Sequence, residues 1–172
     1  MLEGGIWLGH RRLRLIFGLM TLAVMAMIFF FSAQPGAESA MLSGGITEWL
    51  ARFIDDGFDL QPPEVRAAVI LFLDHVTRKL GHFCEFALLA FCLRLWWETL
   101  TNRHASLLAW SCATLYAATD EIHQLFVDAR GAAVKDVLID SAGALTGALA
   151  AYVLIVLIAR SRARKEASLS CP

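Results

Sequence analysis

Between Thr119 and Asp140 the chain reads TDEIHQLFVDARGAAVKDVLID, a charged stretch with long apolar runs on either side. It carries Asp120, Glu121, His123, Gln124, Asp128, Arg130, Lys135, Asp136 and Asp140. A second polar set, Arg78, Lys79, His82 and Glu85, stands earlier in the chain. Carboxylates crowded into a partly dehydrated place have separated pKa values and can act as acid and base, so His82, Glu85 and Asp120 are candidates for acid–base work. The bases Arg78, Lys79, Arg130 and Lys135 suit an anionic headgroup, with the acids holding those bases or accepting hydrogen bonds from sugar hydroxyls. His82, Glu85, Asp120 and His123 have metal-compatible atoms, but no pair has a spacing diagnostic of a metal site, and no metal or other cofactor is expected. Ser141 and Thr119 lie near carboxylates without forming a nucleophile elbow, and there is no glycine-rich phosphate loop. An ion-pair network that merely fastens a loop to its helices would use the same residues.

The elements that must position these groups are apolar. Of 172 residues, 58% are hydrophobic and 18% charged, a composition outside the soluble range that calls for lipid. A net charge of −1 excludes a global field drawing the chain to nucleic acid. The four cysteines follow no paired spacing: Cys84, Cys92 and Cys112 read as small core residues and Cys171 as a tail thiol.

Four segments read as membrane spans, at about residues 13–31, 82–97, 105–119 and 137–159. The first follows Arg11 and Arg12, stops at Pro35-Gly36 and reads as an uncleaved anchor rather than a signal peptide. Residues 39–80 form an outer helical segment. In it Ile46, Trp49, Leu50, Phe53 and Ile54 repeat as one face of an amphipathic helix, and Pro62-Pro63-Glu64 starts a further helix leading into the second span, with a bend at Gly81 allowed for. Trp96, Trp97 and Trp110 read as interface belts and lipid-facing packing.

By the positive-inside rule, Arg11, Arg12, Arg14, Arg103, Arg160, Arg162, Arg164 and Lys165 put both termini in the cytoplasm. The charged groups then converge at the outer face. Arg78, His82 and Glu85 share one stripe at i, i+4, i+7 with Lys79 adjacent. Asp136, Asp140, Gly143 and Gly147 follow i, i+4, i+7, i+11, two carboxylates above a small-residue groove that should pack inward on a neighbouring helix. A helix–helix oligomer through Gly143 and Gly147 is a further arrangement open to that groove.

At these residues the sequence resembles the VanZ-like family of bacterial membrane proteins. The resemblance rests on FFFSAQPG, RKLGHFCEFALLAF and DEIHQLFVDARGAAVKDVLIDSAGALTGALA and covers Phe29 to about Tyr152. It maps the family's lysine and histidine onto Lys79 and His82 and its acidic pair and glutamine onto Asp120, Glu121 and Gln124. The loop arginine falls on Arg130, and the later acids and glycines on Asp136, Asp140, Gly143 and Gly147. Asp128 and Ala129 stand where the family often has proline and glycine, and Phe86 replaces a frequent tyrosine. The resemblance implies a cell-envelope role connected with teicoplanin-type glycopeptide resistance.

The combined expectation is an all-α, multi-pass protein of the bacterial plasma membrane, one VanZ-like domain over residues 1–172, with four spans and an outward polar site. That site would bind a lipid or a lipid-linked wall precursor. The alternative is a membrane-embedded enzyme using a His/Asp/Glu cluster on the same class of substrate.

Overall fold

The computed structural model describes residues 7–101, 103–128 and 131–169. All regular structure among them is helical: α1 (Arg11–Ser32), α2 (Gly36–Ile54), a short 3-10 turn (Phe58–Leu60), α3 (Pro63–Glu98), α4 (Ala105–Gln124) and α5 (Val134–Leu169). The breaks before α3 have local causes. Pro35 separates α1 from α2. After α2, the Asp55 carboxylate accepts a hydrogen bond from the Gly57 N–H at 2.9 Å, a side-chain turn that redirects the chain. Pro63 opens α3, with Glu64 in its first turn where a carboxylate favours the helix dipole.

The outer segment expected over residues 39–80 is therefore two helices. The second runs through Gly81 without a break into the expected span 82–97, forming one 36-residue helix. At 1.5 Å per residue α3 is about 54 Å long, against a hydrocarbon core of about 30 Å. Its N-terminal part must project beyond the bilayer, and α2 packs on this part through Ala51, Phe58 and Leu73.

α3 is the centre of the bundle and contacts each of the other four helices. Its tightest neighbour is α5. A Cβ added at Gly143 would collide with the Phe83 carbonyl, and one at Gly147 with the Ala87 carbonyl, so the two backbones touch with no side chain between them. The small-residue groove is thus filled inside the chain by α3. On α4, Ala105, Ala109, Ala113 and Ala117 recur every fourth residue and are all buried, giving this helix an equally smooth inner face. Phe86, Leu89 and Ile28 fill the remaining core.

Several polar groups within this apolar frame are satisfied across helices. Tyr116 donates to the Met25 carbonyl at 2.9 Å, and Trp110 Nε1 donates to Ser141 Oγ at 3.1 Å, while Thr114 shares a hydrogen bond with the same hydroxyl. Trp96, Trp97 and Trp110 pack against the core rather than facing only lipid or its interface.

Among the described residues, α1, α3 and α5 are long and apolar enough to cross a membrane. The expectation of four spans is met by composition for these three. α4 falls short because any 18-residue window within its 20 residues includes both Asp120 and Glu121.

Candidate functional site

One face of α3 presents His75, Arg78, Lys79 and His82 at i, i+3, i+4, i+7. The last turn of α4 brings Glu121 and Gln124, and the first turns of α5 bring Asp136 and Asp140. With Gly131 of the connecting loop, these residues line a cavity of about 250 Å³. The glycine contact between α3 and α5 lies just below it and fixes how close the two walls stand.

Charges in the cavity are unevenly matched. Lys79 Nζ forms an ion pair with Asp136 across the α3–α5 junction. Arg78 is engaged by Asp74, one turn earlier on the same helix, at 2.9 Å. Glu121 accepts a hydrogen bond from the Ala133 N–H at 2.9 Å, which ties the end of α4 to the start of α5. Asp140 is 1% exposed, and its Oδ2 accepts no hydrogen bond from any described residue.

Several residues singled out from sequence stand elsewhere. Asp120 lies outside the lining, 4% exposed, where its Oδ2 accepts hydrogen bonds from Ser32 at 2.7 Å and Gln124 at 3.0 Å. It clasps the end of α1 to α4 and holds Gln124 in place. His123 stacks on Phe29, ring centroids 4.9 Å apart, again joining α4 to α1. Glu85, one turn deeper than His82, is half-buried and outside the lining, and Lys135 is exposed on the first turn of α5. Arg130 and Cys171 lie outside the described residues. Sequence reasoning missed His75, which the same α3 periodicity extended back one turn would have found, and Asp74, whose i, i+4 relation to Arg78 is a readable pairing signal. Ser32 gave no such signal, being separated from Asp120 by 88 positions.

Taken together, these features define a helical protein of the membrane-spanning class with a charged, walled cavity at one end of its bundle. The VanZ/LLP1 family model matches residues 17–157, and the chain belongs to that family. No curated protein and no solved structure matches the chain.

Proposed function

We propose that this is a four-span protein of the bacterial plasma membrane, with its termini in the cytoplasm. Its cavity opens outward to engage the headgroup of an envelope lipid or lipid-linked wall precursor, thereby altering access of teicoplanin-type glycopeptides. The observation that carries the reading is a cavity lined by charged side chains from three helices at one end of an otherwise apolar bundle. Ionisable groups at membrane depth are costly and mark binding or transport sites.

α4 serves as the fourth span in this reading. It starts beside the end of α3, reaches Glu121 at the cavity and covers about 30 Å with its 20 residues. The basic residues at the start of α1 and in the C-terminal turns of α5 support the orientation. Mass spectrometry of lipids retained by the purified wild type, Lys79→Gln and Glu121→Gln, with melting measured alongside, tests the site. Loss of a headgroup class from still-stable variants is expected; identical profiles in all three would sink the reading.

An enzyme is the second reading, favoured by His82 sharing the cavity with Glu121 and Asp140. It predicts turnover of added envelope lipid that His82→Gln abolishes, and a product-free assay would remove it.

A further inference from the structure

We infer that the ligand of this cavity carries a primary ammonium group, which docks on Asp140. The inference rests on reading the cavity as a headgroup site and deepens it. Asp140 lines the cavity and is 1% exposed, and its Oδ2 is without a hydrogen-bond donor among the described residues. A buried carboxylate oxygen left in that condition is costly unless a donor arrives from outside the described groups.

Among the described residues, the two bases of the lining are each paired with another carboxylate. Lys79 is held by Asp136, and Arg78 by Asp74. With Glu121 and Asp136 also in the lining, the wall around Asp140 holds three carboxylates against those two bases. His75, His82 and Gln124 also line the cavity, so what the Asp140 oxygen lacks is a charged donor of its own rather than N–H groups in general. A sugar hydroxyl supplies a donor but leaves the charge uncompensated; an ammonium supplies both. At about 250 Å³ the space is below the range of about 300–1,000 Å³ typical of pockets for drug-sized ligands, so it fits a small headgroup and not a whole wall precursor.

The test uses the full chain in detergent micelles, offered short-chain phosphatidylethanolamine, phosphatidylcholine or phosphatidylglycerol and read by native mass spectrometry. Free phosphoethanolamine is offered separately and read by thermal shift. Phosphatidylethanolamine should be retained above the other two, since the quaternary nitrogen of phosphatidylcholine keeps the charge but has no N–H. In Asp140→Asn the ratio of phosphatidylethanolamine to phosphatidylglycerol should fall about tenfold, as expected for loss of one charge-assisted hydrogen bond. Its melting temperature should hold, because the substitution removes a buried charge. Asp136→Asn provides an independent variant: it frees Lys79 to compete for Asp140, and the ratio should fall again.

Stabilisation by free phosphoethanolamine, abolished in Asp140→Asn, would support the ammonium and make a soluble amine the source. A preference for phosphatidylglycerol, or an unchanged ratio in both variants, would overturn the ammonium while leaving a headgroup site standing. No binding of any lipid or of the free amine by the wild type would overturn both readings.

Discussion

Gly147→Ala adds one methyl group where α5 meets α3, and its cost can be worked from the geometry. The new Cβ would lie 2.6 Å from the carbonyl carbon of Ala87 and 2.9 Å from its Cα, as well as colliding with the carbonyl oxygen. Ordinary contact between carbons is about 3.5–4.0 Å, so the helices must part by roughly 1 Å. The obstacle is backbone, which cannot rotate away as a side chain can. Overpacking of this kind costs about 1–3 kcal/mol.

Alanine also returns at most about 1 kcal/mol of helix propensity, which must be separated from the collision. Gly81→Ala provides the reference, because a Cβ there meets nothing within 4 Å in the same kind of helix interior. The difference between the two variants should therefore be about 1–3 kcal/mol, Gly147→Ala being the less stable. Unfolding from mixed micelles by added dodecyl sulfate, followed by the fluorescence of the five tryptophans, measures it. Equal midpoints for the two variants would refute the close approach of α3 and α5.

Two further outcomes follow from buried polar contacts. Arg94 and Glu98, 4% and 3% exposed, form an ion pair at 2.6 Å near the end of α3, and Ser106 of α4 accepts a hydrogen bond from the same guanidinium. Glu98→Ala should cost about 3–5 kcal/mol in the same titration by stranding Arg94, whereas replacing both residues with methionine should recover most of the loss. Asp120→Ala leaves Ser32 and Gln124 without their shared acceptor and should lower stability by about 1–3 kcal/mol, read as a lower melting temperature.

Much of the fold can be read from sequence because the bilayer demands it: long apolar runs must be helices, and prolines mark their breaks. The meeting of Lys79 and His82 with Asp136 and Asp140 was also legible, since helical periodicity put each pair on one face and chain direction brought the faces to one end. The length of α3 was less so. Gly81 resembles a hinge when its neighbours are unknown, yet with open space beside it the helix has no reason to stop there. The roles of Asp120 and His123 were hidden for another reason. Both sit next to Glu121 and Gln124 in sequence, but a helix turns 100° per residue, so adjacent polar residues face different neighbours. Asp120 and His123 meet α1, through Ser32 and Phe29, and only the tertiary arrangement selects that partner.

The glycine seam between α3 and α5 also separates two properties of the cavity that usually change together. Its aperture is set by main-chain contact at Phe83 and Ala87, whereas its chemistry is set by the side chains of the turns above. An exchange such as Lys79→Arg or Asp140→Asn would alter the charge and hydrogen bonding of the lining without moving its walls. Proteins built on the same seam could thus differ in the chemistry of the cavity while keeping one gauge of opening, with the glycines acting as the ruler and the charged turns as interchangeable fittings.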